Sequence, residues 1–73
     1  MEYNYAMNTF GERLKELRLE KGLTQTELAK STGFTQPAIA RWENALQIPN
    51  VETAIVFAKF FGVTTDYLLG LEN

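Results

Sequence analysis

The 73-residue chain has no cysteine and no histidine. Disulfides are excluded, and so are the usual zinc-ligand sets. The same gaps remove Cys–His and Ser–His nucleophile pairs. There is no glycine-rich phosphate loop either, so an enzyme reading finds no support. Glu12, Glu16 and Glu20 recur at spacing four, but Arg13, Lys15 and Lys21 interleave with them, which describes a solvated helix face. Long apolar runs are also missing. The longest, around residues 54–61, is broken by Lys59 and falls well short of the roughly 20 residues a membrane-spanning helix needs. The opening MEYNYAM lacks the basic start and apolar run of a signal peptide. The expectation is a soluble cytoplasmic protein of prokaryotic or phage origin, with no metal, no cofactor, no membrane partner and no small-molecule substrate.

Positive charge is scarce as well: Lys and Arg number 7 against 9 acids, for a net charge of −2. Nucleic-acid binders usually show a basic balance, so this counts against that class. The distribution tells more than the total. From Gly11 to Arg41 the balance is +2, and the remainder carries −4. The few bases imply a modest salt dependence for any DNA binding. A chain of this length, with neither disulfide nor metal, must rest on one compact apolar core, and pairing with a second copy would help it.

What is present is organised around residues 25–44, QTELAKSTGFTQPAIARWEN. They read as two short helices joined by a tight turn. Ala29 is small where the helices must cross, and Gly33 can take the left-handed backbone that ends the first of them. Ile39 lies on the face of the second helix that turns back onto Ala29. Leu28, Phe34 and Trp42 supply further apolar contacts. Gln36, Pro37, Ala38, Ala40 and Arg41 are left outward. A helix with one buried face and one slim, hydrogen-bonding face fits the major groove of DNA, which is about 12 Å wide. Trp42 shares its register with Ile39, which makes it a core residue rather than a platform for stacking bases.

Residues 1–8 show no helical period and are expected to form a flexible arm. Thr9, with Glu12 three positions on, matches a capping box and should open the first helix, with Phe10, Leu14 and Leu17 inward and Gly22 at its end. Thr24 and Glu27 repeat the box ahead of a helix over 25–32. Thr35 caps the next, which tolerates Pro37 in its first turn because those amides have no helical partner. Ala45 to Pro49 is a loop anchored by Ile48. Asn50 caps a fourth helix, 51–61, with Val51, Ala54, Ile55, Ala58 and Phe61 on its core face. Thr64 caps a short fifth helix that places Leu68 inward and ends at Gly70. No segment has a strand period. The expected fold is all-α, a compact five-helix bundle over residues 9–70 that contains a helix-turn-helix, followed by a tail, 71–73.

The stretch from LTQTELA through the turn glycine, Ile39, Trp42-Glu43-Asn44, Ile48-Pro49 and GVTTDYLLG resembles the Cro and phage-repressor family of helix-turn-helix proteins, also called the xenobiotic-response-element type. The resemblance covers about residues 9–70 with every flanking segment in register. It implies a lambda-repressor-like fold and binding of double-stranded DNA. Carried over by position, Gln25 contacts a phosphate and supports Gln36, while Gln36 reads a base edge. Thr35, Pro37, Ala38 and Arg41 face the groove or its walls, and Asn44 and Gln47 approach the backbone. It also implies that Arg18 pairs with Glu43, an acid otherwise misplaced at a helix C-terminus. This chain departs from the family at Ala45, where glycine is common, and at Pro37, which cannot hydrogen-bond a base. With so few direct readers, part of the preference would come from DNA shape.

Val56, Phe60, Tyr67 and Leu71 form an apolar strip away from the expected core face, a candidate interface for a homodimer. The competing reading is a protein-interaction module on the same scaffold, such as an antitoxin or anti-repressor. The acidic total and the strip favour it, and Gln25 and Gln36 oppose it.

Overall fold

The computed structural model describes residues 2–72, with side chains described from Thr9 to Glu72. All regular structure among them is helical: α1 (Glu2–Glu20), α2 (Gln25–Thr32), α3 (Gln36–Glu43), α4 (Val51–Phe61) and α5 (Thr65–Leu69). Local chemistry sets the later boundaries. Thr24 Oγ1 accepts from the Glu27 amide at 3.0 Å, and Glu27 Oε1 accepts from the Thr24 amide at 2.8 Å, a complete capping box. Thr35, Asn50 and Thr64 each accept from the amide three residues on. Left-handed glycines follow α2, α4 and α5 at Gly33, Gly62 and Gly70.

The first boundary differs from expectation. The α1 helix begins at Glu2, so the span expected to be a flexible arm is helical from there, and Thr9 is a buried interior residue rather than a cap. A threonine followed by a glutamate caps a helix only where the chain before it is not helical. EYNYAMN contains neither proline nor glycine to stop the helix, and it runs straight through Thr9.

Every helix contributes to the core: Phe10 and Leu14 from α1, Leu28 and Ala29 from α2, Ile39 and Trp42 from α3, Phe57 and Ala58 from α4, Leu68 from α5. The Trp42 ring meets Phe34 at 5.1 Å, Phe57 at 5.6 Å and Phe10 at 6.5 Å, each close to perpendicular, the arrangement aromatic quadrupoles favour. Its Nε1 is buried with no hydrogen-bond acceptor among the described residues.

On α4 the inward face is Thr53, Ala54, Phe57 and Ala58, with Phe61 packed at its edge. Val51 is 75% and Ile55 40% exposed, so the face expected from spacing is turned toward Phe57. The helix is apolar on almost every side, and periodicity alone cannot choose a face under that condition. Ile48 is likewise exposed and does not anchor its loop.

That loop is held by its backbone instead. Asn44 caps α3, the Ala45 amide donates to Trp42 O at 3.1 Å, and the Leu46 amide donates to Arg41 O at 2.9 Å. This is a Schellman ending with alanine in the left-handed position, at φ 60. Ala45 therefore carries strain of about 1–2 kcal/mol that glycine would not. Ala45→Gly is expected to stabilise the domain by a net of about 0.5–1 kcal/mol, after subtracting the larger freedom of glycine in the unfolded chain. Urea unfolding checks it: the midpoint should rise at constant slope.

Candidate nucleic-acid interface

Arg18 and Glu43 are joined. Arg18 Nε donates to Glu43 Oε2 at 2.6 Å and Nη2 to Oε1 at 3.0 Å, a bidentate pair, while Nη1 donates to Leu23 O at 2.8 Å. The two side chains are only 9% and 2% exposed. The hydrogen bond to Glu43 raises the Arg18 pKa above its ordinary value, against the opposing effect of burial. The guanidinium is thus charged at any pH where the domain is folded. The pair ties α1 to the last residue of α3 and offsets the unfavourable placement of an acid at a helix C-terminus.

The network continues outward. Gln25 Nε2, from the first residue of α2, donates to Glu43 Oε1 at 3.0 Å. Gln36 Nε2, from the first residue of α3, donates to Gln25 Oε1 at 2.7 Å. A line of four side chains thus runs from a buried guanidinium to an exposed amide. Gln25 is half-buried and Gln36 is exposed.

Thr35, Gln36, Pro37, Arg41, Asn44 and Gln47 are all exposed, on α3 and its two ends. Arg41 Nε donates to Gln47 Oε1 at 3.0 Å, which leaves its terminal nitrogens without a partner among the described residues. Thr35 uses its hydroxyl to cap α3, accepting from the Ala38 amide at 3.3 Å. Ala38 departs from expectation. It is half-buried and packs against the core, because it lies on the edge of the buried face beside Ile39. Ile39 is fully buried and Trp42 is 5% exposed, so the exposed and buried faces of α3 separate as the sequence predicts.

The apolar strip is less open than the sequence implies. Phe60 is half-buried, with Phe61 edge-on at 5.0 Å and the Lys21 ammonium over its ring at 5.6 Å. The Arg13 guanidinium lies 4.3 Å from the Tyr67 ring centroid and also donates to the carbonyls of Tyr67 and Glu72. Val56 and Leu71 are exposed, and so are Val51, Ile55, Leu46 and Ile48.

A buried inner face, an exposed outer face and a capped glutamine at the head of α3 describe a helix-turn-helix, and residues 14–68 match the helix-turn-helix family. The chain belongs to that family, in its Cro and phage-repressor branch. Among curated relatives, the HTH-type transcriptional activator BcrR of Enterococcus faecalis is 43% identical over 64 residues, 88% of this chain and 31% of that protein. The prophage-derived HTH-type regulator YonR of Bacillus subtilis is 37% identical over 60 residues, 82% of this chain and 56% of that protein. Among solved structures, the c2 repressor of phage P22 in complex with synthetic operator 9T matches with a TM-score of 0.79 at 32% identity, covering 86% of this chain and 96% of that one. The chain therefore spans between about a third and somewhat over half of the length of these curated relatives.

Two features of this helix-turn-helix lie outside what the sequence pattern predicts. Gly11 lies where α1 meets the C-terminal end of α3. A Cβ there would overlap the carbonyl oxygen of Trp42 and sit 3.1 Å from that of Glu43. The only sequence signal was an isolated glycine inside a helical pattern, which often marks a close approach. The hydrogen bond between Gln25 and Glu43 had no sequence signal.

Proposed function

We propose that this helix-turn-helix chain is a sequence-specific double-stranded DNA-binding transcriptional regulator that lays α3 in the major groove. The supporting observation is the exposed Gln36, capped into place at the first residue of α3 and braced by Gln25, on a helix whose Ile39 and Trp42 face inward. Arg41, Asn44 and Gln47 lie where they can meet phosphates flanking the groove. The regulator acts as a homodimer on a two-fold-related operator, with half-sites about one helical turn, roughly 34 Å, apart. Val56 and Leu71 are the exposed members of the strip available for pairing. Its mode of action in this reading is repression, by occupying the operator and blocking polymerase. The site of action is the cytoplasm. No helix among the described residues is long and apolar enough to cross a membrane.

The test is a mobility-shift titration on the promoter beside the protein's own gene. Gln36→Ala is expected to weaken binding by about 10- to 100-fold with an unchanged circular-dichroism spectrum, the value of one good base contact. Equally tight binding by the Gln36→Ala/Arg41→Ala double variant would reject the site. The net charge of −2 keeps a second reading in view, a module that holds another protein. Failure to shift any duplex at low salt would favour it.

A further inference from the structure

The outer face of α4 carries Glu52, Ile55, Val56 and Lys59, all exposed, opposite the buried Thr53, Ala54, Phe57 and Ala58. We propose that this face is the contact between two copies of the chain, with the two α4 helices antiparallel and each Glu52 set against the partner's Lys59. The proposal rests on the homodimer reading above and names its surface.

Spacings of three, four and seven residues put these side chains on one stripe of the helix. Its centre is apolar, Ile55 and Val56, and its ends are opposite in sign. Glu52 sits in the first turn and Lys59 in the last, seven residues or about 10.5 Å apart along the axis. Neither is in an ion pair among the described residues. A two-fold axis crossing α4 between Ile55 and Val56 brings each charged end onto its opposite and the apolar centre onto itself. Parallel helices would instead meet acid to acid and base to base, which costs free energy at both ends. The stripe is therefore its own complement, as an isologous contact requires. An unrelated partner would impose no such symmetry on it. Val51, one turn before Ile55 and exposed, widens the apolar centre. Of the apolar strip expected from the sequence, Phe60 lies under Lys21 and Tyr67 under Arg13, and Val56 is the member that belongs to this face. Five residues a side are far fewer than the 20–30 of a standard stable interface, so the dimer is weak and depends on concentration.

Sedimentation equilibrium of the full chain, at low salt over a concentration series, reads the outcome. The wild type is expected to show a monomer–dimer equilibrium. Glu52→Lys and Lys59→Glu each place like charges together at both symmetric contacts, and each should weaken pairing by about tenfold or more. The double variant Glu52→Lys/Lys59→Glu should pair like the wild type. So should an equal mixture of the two single variants, because one chain then offers two lysines and the other two glutamates. Both charges also suit the α4 dipole, so the double variant should melt slightly earlier even as its dimer returns. A role confined to the helix would appear in the melt alone.

Single variants that pair as well as the wild type overturn this interface and leave the homodimer reading standing on another face. A double variant and a mixture that pair no better than the single variants also overturn it. A wild type that stays monomeric at every concentration, alone and on a duplex that it shifts, overturns both.

Discussion

Replacing Arg18 by methionine is expected to destabilise the domain by about 3–5 kcal/mol, the cost of leaving a buried charge without its partner. Glu43 is the group left behind. Its side chain is 2% exposed, and once Arg18 is gone it keeps only the Gln25 amide as a hydrogen-bond partner. At that exposure little water reaches it to compensate. Leu23 O also loses the Arg18 Nη1 donor at the end of α1. Small domains hold about 0.05–0.15 kcal/mol per residue, so the loss takes a large share of the total stability. Trp42 fluorescence during urea unfolding measures it. The double variant Arg18→Met/Glu43→Leu is expected to recover most of the loss, because an apolar pair of similar size needs no partner. It is nonetheless expected to bind DNA more weakly, since Gln25 then has no Glu43 carboxylate to hold it beside Gln36. A stable double variant with wild-type affinity would separate the ion pair from DNA binding.

Gly11→Ala is the second large effect. The added Cβ meets backbone, not a flexible side-chain end: the carbonyl of Trp42, and that of Glu43 at 3.1 Å. Neither oxygen can move without moving α3, so α1 must be pushed away from it. Overpacking costs about 1–3 kcal/mol, and a clash with fixed backbone lies at the upper end. Alanine's better helix propensity returns roughly 1 kcal/mol, leaving a net loss of about 2 kcal/mol. The displacement also carries Arg18 away from Glu43, since the two α1 positions lie seven residues apart on the same helix face. Affinity for DNA should therefore fall further than the same loss of stability would produce at a remote core site. A thermal melt beside a binding titration distinguishes the two contributions. A Gly11→Ala protein as stable as wild type would show that the crossing of α1 and α3 is looser than these distances imply.

Several expectations from the sequence hold in detail, and they share a cause. Thr24, Thr35, Asn50 and Thr64 cap the helices they were expected to cap, and Gly33 closes α2. Each of those interactions is made within four residues of chain. The inward turn of Ile39 and Trp42 was also legible, because α3 has polar or small residues on its other side and only one apolar face to bury. Where the local pattern was degenerate, the expectation failed. An almost wholly apolar α4 gave no reason to prefer Phe57 over Ile55, and packing against Trp42 and Phe34 decided it. Thr9 carried a cap signal that the uninterrupted helix before it overrode.

The sequence by itself determined the number and later limits of the helices, the family, and that Gln36, Pro37 and Arg41 of α3 stand free to meet a partner while Ile39 and Trp42 do not. Capping, glycine stops and helical spacing are short-range, so they need no knowledge of where the chain goes next. Only the tertiary structure decided the face of α4, the contact at Gly11, and the line from Arg18 through Glu43 and Gln25 to Gln36. Those residues come from three helices and are separated by up to 25 positions, so they meet only once the whole core has fixed how the helices cross.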